Sequence, residues 1–256
     1  VISVRGVARR QLRLLRRALG LAPARRRPAR KARTPAPPRR PTKPGPNDPG
    51  GTRRIHVGCG PKEILPDWWN VDIRAFPGID EVVDATKPWP WSNVDAVFGE
   101  HFLEHLPVED ALTFLELAAA NLRPGGVLRL STPSLEWVWA THFALGTGQT
   151  DEARIADTYR ANRAFHGWGH RFLFSKPILE RLLLGTGFER LTWHAYGESD
   201  EPTLRNLERH GGYQVADGWP SVWIVEAVRG AEVQPPPADL RAEVEQEFGR
   251  YVRSGH

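Results

Sequence analysis

The sequence predicts an α/β domain built on a mostly parallel sheet whose last strand runs antiparallel. Three observations lead there. Short apolar runs alternate with stretches of helical spacing, the pattern of parallel strands joined by crossover helices. The last two runs have no helical stretch between them, so they pair antiparallel. A turn with two glycines, Gly58-Cys59-Gly60, follows the first run directly, and an acid, Asp72, ends the second. A strand, a tight glycine turn and an acid at the tip of the next strand outline a nucleotide-type cofactor pocket.

The elements follow in order. Residues 54–57 and 69–72 read as the first two strands, with room for only a helical turn or two between them. A third short strand covers 81–83 and leads into Asp84-Ala85-Thr86. Residues 87–91, Lys-Pro-Trp-Pro-Trp, form a loop because proline cannot donate to a ladder or a helix. A fourth strand, 94–98, runs into Gly99-Glu100-His101-Phe102-Leu103-Glu104-His105-Leu106. Residues 108–122 place Leu112, Leu115, Ala118, Ala119 and Leu122 on one helical face. Arg123-Pro124-Gly125-Gly126 stops that helix, and a fifth strand covers 127–131. Residues 133–174 are irregular or partly helical. Pro177 opens a helix that ends before Gly185-Thr186-Gly187, a sixth strand covers 188–196, 197–220 is a long polar insertion, and 221–228 is the seventh strand. A final helix aligns Leu240, Val244, Phe248 and Tyr251.

Charge divides the chain. Residues 1–50 hold 15 of the 35 Lys/Arg and one of the 30 acids, leaving 20 cations against 29 acids in the rest. The overall +5 therefore describes neither part, and the globular part is acidic. Residues 1–50 read as a basic tail and linker. Val4, Val7, Leu12, Leu15 and Leu19 lie near helical spacing among arginines, which fits a disordered tail, an amphipathic segment on an anionic membrane, or an RNA contact. Nine prolines in 22–51 make a stiff linker. Arginines interrupt any apolar core of a signal peptide, and serine is too scarce for a transit peptide. Residues 51–230 form the globular domain, with insertions at 133–174 and 197–220, and 231–256 a docking helix. The single cysteine, Cys59, permits no internal disulfide. No apolar run approaches the ~18 residues of a membrane span. A cytoplasmic protein, or one peripheral at the membrane, is the expectation.

The glycine turn excludes two cofactor classes. A dinucleotide fingerprint needs a third glycine, where Glu63 stands, and a later acid than Asp72. A phosphate-binding G-x-x-x-x-G-K-[ST] loop is absent. The ordered set His56-Val-Gly-Cys-Gly60, Asn70-Val-Asp72, Asp84-Ala-Thr-Lys-Pro-Trp-Pro90, Asp95-Ala-Val-Phe-Gly-Glu-His-Phe-Leu-Glu-His-Leu106 and Leu122-Arg-Pro-Gly-Gly-Val-Leu-Arg-Leu130 resembles the class I S-adenosylmethionine (SAM)-dependent methyltransferases. The short stretch after the turn resembles a subgroup of small predicted methyltransferases with a Leu-Glu-His-Leu segment. The resemblance implies a Rossmann-like three-layer sandwich with a seven-stranded sheet. It implies that Gly58, Cys59 and Gly60 cradle the methionine part of the cofactor, that Asp72 binds the ribose, and that Asp84 and Ala85 sit by the adenine. Glu100 and His101 would lie near the methyl group. Where many members carry an acid two positions before the first glycine, this chain has His56, which cannot supply charge to the cofactor ammonium.

Methyl transfer to oxygen needs a base. The candidates are His101, His105, His166 and His170, the last two in the aromatic stretch Phe165-His-Gly-Trp-Gly-His-Arg-Phe172, which suits a cap. His101-x-x-Glu104-His105 also matches an inverted zinc-protease motif, but lacks a visible third ligand, so no metal is expected. Trp89, Trp91, Trp137, Trp139 and Trp168 flank the pocket region and either stack on ligands or pack the core. The acceptor is expected to be a glycan or other small hydroxylated molecule. An RNA substrate met through the basic tail, or a non-catalytic binding module, are the alternatives.

Overall fold

A computed structural model describes residues 43–144, 148–210, 212–232 and 238–254. The expected tail helix lies outside the described residues. Packing begins within the proposed linker: Lys43 pairs with Asp80 at 2.7 Å, and Asn47 donates to the Pro90 carbonyl.

The strands are β1 (Arg54–Val57), β2 (Trp69–Asp72), β3 (Glu81–Val82) and β4 (Val94–Glu100). Helix α1 (Val108–Asn121) leads to β5 (Leu122–Pro133). Helices α2 (Leu135–His142), α3 (Asp151–His166) and α4 (Lys176–Gly185) precede β6 (Phe188–Trp193). A small hairpin, β7 (Val215–Ala216) and β8 (Trp219–Pro220), precedes β9 (Val222–Arg229). The chain closes with α5 (Ala238–Val244), a π-helical segment Glu245–Gly249 and α6 (Arg250–Ser254). The main sheet runs in the order β3-β2-β1-β4-β5-β9-β6. Strands β1 to β5 are parallel, and β9 is antiparallel to both β5 and β6, as the missing crossover helix predicts.

Strand alternation sorts the sheet into two unlike faces. One face carries Ile55, Val57, Trp69, Val71, Val97, Leu128, Leu130, Val225 and Ala227, and packs on α1, α4 and α5 through Leu112, Leu115, Leu179, Leu183, Leu240 and Val244. Trp89 and Trp91 belong to this core, edge to face at 5.9 Å, so they serve as packing residues. The other face presents His56, Asn70, Phe98, Arg129 and Glu226. Among the described residues no long helix covers it. The turns at 61–68 and the segment 197–210 do, inserting Leu65, Trp68, Leu204 and Leu207 around Ala96 and Phe98.

Two polar groups on this second face, Arg129 and Asn70, are satisfied internally. Arg129, fully buried, donates from Nε and Nη2 to both oxygens of Glu208 at 2.8 and 3.1 Å, and from Nη1 to Glu226 at 2.6 Å. The polar insertion is thus a cover for a polar sheet face. Asn70 does the equivalent work at the other edge. Its amide donates to the carbonyls of Leu65 and Trp68, and its oxygen accepts the Leu65 N–H at 2.9 Å. That network holds the 61–68 connection in shape without a helix. The C-terminal stripe breaks at Tyr251, which is exposed while Leu240 and Val244 are buried. The π turn adds a residue to the helical repeat and rotates everything after it off the stripe.

Candidate functional site

The Gly58-Cys59-Gly60 turn opens onto a cavity of about 820 Å³ at the carboxyl ends of β1 and β4, where open parallel sheets bind ligands. Both glycines adopt left-handed backbone, and Gly58 is also closed to a side chain. Gly58 has φ +62°, and a Cβ there would stand 2.4 Å from the Phe102 ring. Gly60 has φ +54° and faces open space. Cys59 is buried, and burial together with the charges of Asp72 and Asp80 pushes its thiol up to about 12. It fills the turn and is chemically inert.

His56 reaches the same cavity from behind the turn. It is 2% exposed, lies 5.0 Å from the Phe98 ring, and its Nδ1 is 3.2 Å from Asn70 Oδ1. An amide oxygen can only accept, so Nδ1 carries the proton. Burial dominates and lowers the pKa to about 4, against the opposing Asn70 bond, so the ring is neutral. Where the resembled family places a charge, this chain places a neutral donor.

At the end of β4 the backbone is strained. His101 adopts φ +46°, which for a residue with a Cβ costs on the order of 1 kcal/mol and needs enforcement by its surroundings. The enforcement is visible: its N–H donates to the Ser131 carbonyl at 2.9 Å, and its Nδ1 meets Glu104 Oε1 at 3.0 Å. Glu104 is fully buried, and its other oxygen accepts the Thr132 hydroxyl at 3.0 Å. Burial alone would lower the His101 pKa, but the Glu104 hydrogen bond and the charges of Glu104 and Glu100 outweigh it and raise the value. Glu100 accepts the N–H groups of Arg209 and His210 at 2.9–3.0 Å. That carboxylate latches the 197–210 cover to the mouth of the site.

The far half of the cavity is built by α2, α3 and the 3-10 turn Gly167–Gly169. It is lined by Trp137, Val138, His142, Arg160, Arg163, Trp168 and His170. Arg160 is held by Asp157. His105 and His170 face each other with ring centroids 5.3 Å apart.

The structure therefore gathers Gly58, Cys59, Gly60, Glu100, His101, His105 and His170 at one cavity. It does not bring His166 there: that side chain is exposed at the end of α3, because the left-handed Trp168 (φ +56°) turns the chain between it and His170. Nor do Asp72, Asp84 and Ala85 line the cavity. Asp72 accepts the Gly60 and Arg74 N–H groups at 3.1 and 2.9 Å, so it pins the glycine turn. Asp84 closes a turn on Thr86, and the Ala85 carbonyl accepts from Trp89. Trp139 is exposed and outside the lining. His142 and His210 also line the cavity; His142 is a lone histidine with no spacing signal to single it out, whereas His210 closes the polar stretch that the sequence offers as acceptor-site lining or a solvent-facing excursion.

No family model and no curated protein sequence matches this chain. Solved structures align with it at low similarity. A SAM-dependent methyltransferase from Archaeoglobus fulgidus aligns at 18% identity and TM-score 0.45, over 70% of this chain and 87% of that one. One from Thermotoga maritima, described as a possible histamine N-methyltransferase, gives 15%, 0.45, 71% and 83%. The methyltransferase domain of citrinin polyketide synthase gives 13%, 0.41, 72% and 47%, so the present chain spans about half of that length. Identities this low leave cofactor and acceptor to be read from the site itself.

Proposed function

We propose that the protein is a SAM-dependent methyltransferase acting on a small hydroxylated acceptor. The observation that carries this reading is the continuity of the cavity, from a left-handed glycine turn that is closed to a Cβ at Gly58 to a histidine-lined chamber across the end of β4. At about 820 Å³ it has the size of a site for small ligands.

The turn fits the methionine part of the cofactor. Gly60 leaves open space where a side chain would stand, and the Gly58 approach is closed to any Cβ. When bound, SAM would supply an electrophilic methyl group. The chain's own residues do the rest. His101, at the junction of the two halves, accepts the acceptor's proton, and Glu104, itself fixed by Thr132, orients the imidazole. Trp137 and Trp168 offer aromatic faces to an acceptor, and α2 and α3 shield the chamber from water. Arg160 and Arg163 favour an acceptor that also carries an anionic group. Charge toward the cofactor ammonium falls to Glu63 or Glu100, the two acids lining the cavity, since His56 is neutral.

Calorimetric titration of the full chain with S-adenosylhomocysteine tests the reading. Saturable binding that is weakened by Gly60→Val is expected. Absence of binding to the folded protein would remove the cofactor assignment. Binding without turnover over a broad panel of phenols, sugars and hydroxy acids would instead favour a binding module.

A further inference from the structure

We propose that Glu104, His105 and His170 bind a first-row divalent transition-metal ion at the wall of the acceptor chamber. One donor atom from each lies within 4.8 Å of the others. His105 and His170 line the cavity, while Glu104 is fully buried behind them. Two imidazoles and one carboxylate form a three-ligand set that leaves coordination positions open toward the chamber. Nitrogen-rich donors select ions such as zinc, cobalt or iron over magnesium and calcium.

Two further observations point to a cation. Among the described residues no Lys or Arg pairs with Glu104; its side-chain partners are Thr132 and His101. A fully buried carboxylate without a permanent cation is costly to maintain, and a bound metal supplies the missing charge. A carboxylate also has about four lone-pair positions, so two hydrogen bonds leave room for a metal bond. The second observation concerns His170. Its Nδ1 lies 2.7 Å from the Ala164 carbonyl, which only a protonated ring nitrogen can bond. Nε2 therefore keeps its lone pair, the arrangement that metal-binding histidines show when a carbonyl fixes the opposite nitrogen.

A neighbouring group, Glu100, His101 and His210, also comes within 4.8 Å, but it is the weaker candidate. Glu100 is already engaged in latching the Arg209 and His210 N–H groups, and the His210 side chain is 49% exposed. The sequence motif His101-x-x-Glu104-His105 thus contributes Glu104 and His105, not the histidine pair His101 and His105. Residues 103–105 form a 3-10 turn, which does not stack His101 and His105 as an α-helix would, and the third ligand arrives from the cap. An ion here would hold an acceptor oxygen and acidify its proton.

The test is titration of the untagged, chelator-stripped full chain with Co²⁺, read by its visible ligand-field absorption. Saturable bands are expected from the wild type without any nucleoside present. His105→Gln and His170→Gln, both at partly exposed positions, should each weaken binding by more than about 100-fold, exceeding what loss of an outer-shell partner does. His210→Gln should leave the affinity unchanged. Absence of bands in the wild type would overturn the proposal. So would wild-type affinity in both the His105 and His170 variants, or loss confined to His210→Gln. Circular dichroism of each variant reports folding, and a misfolded variant is replaced by the corresponding asparagine. S-adenosylhomocysteine binding is measured separately, so failure of the metal site and failure of the cofactor reading are distinguishable.

Discussion

His56 makes stability depend on pH in a way that can be worked out from its surroundings. The imidazole is sealed between Phe98 and Asn70, and burial lowers its pKa from 6.5 to about 4. Between these values the unfolded chain binds a proton that the folded chain refuses. The contribution is therefore complete above pH 6.5, falls as pH falls, and is gone below pH 4. Its full size is about 3 kcal/mol, of which about 2 kcal/mol is lost by pH 5. Other groups titrate in the same window, so the measurement is a difference. Urea unfolding of wild type and His56→Gln is followed between about pH 7.5 and pH 4.5. Glutamine can donate to Asn70 Oδ1 and does not titrate. The wild type should lose about 2 kcal/mol more than the variant between neutral pH and pH 5. Parallel stability curves would refute the burial reading of His56, whatever the absolute stabilities.

Four further outcomes follow from named contacts. Glu208→Ala leaves the buried Arg129 guanidinium half-paired and should destabilise the fold by about 3–5 kcal/mol in denaturant melts. Gly58→Ala combines a left-handed φ with a Cβ 2.4 Å from Phe102; S-adenosylhomocysteine binding should disappear in calorimetry even where the variant folds. Asp72→Ala frees the Gly60 N–H and should weaken the same ligand by at least about tenfold, close to the net worth of a charged hydrogen bond. Cys59 should resist a thiol reagent at mildly alkaline pH in the native protein and react on unfolding, because burial holds it as the thiol.

The sheet was legible because its strands obey a period of two and its turns carry glycine and proline. β1 and β2 match the residues read from sequence, and β9 pairs antiparallel as its missing crossover requires. The second face was harder to read. Val127-Leu-Arg-Leu130 alternates like a strand with one wet side, yet Arg129 is fully buried. Periodicity assigns residues to a face and says nothing about what lies over that face. The clue was the polarity of 197–210, which reads as a solvent excursion until Glu208 is seen against Arg129.

The same limit explains which site residues could be found. Gly58, Gly60, Glu100 and His101 belong to strand ends, whose positions a parallel sheet fixes. His170 and His142 sit on inserted elements after β5, where sequence distance carries no spatial meaning. His101-x-x-Glu104-His105 illustrates the cost of assuming a local geometry. Read as a helix it is a metal motif short of a ligand; as a strand end followed by a 3-10 turn, it splits. His101 turns toward the junction with the glycine loop, strained and held by Glu104, while His105 turns toward the cap and meets His170. Glu104 serves both from the buried position between them. One carboxylate thus links the group that would take a proton to the group that would hold the acceptor.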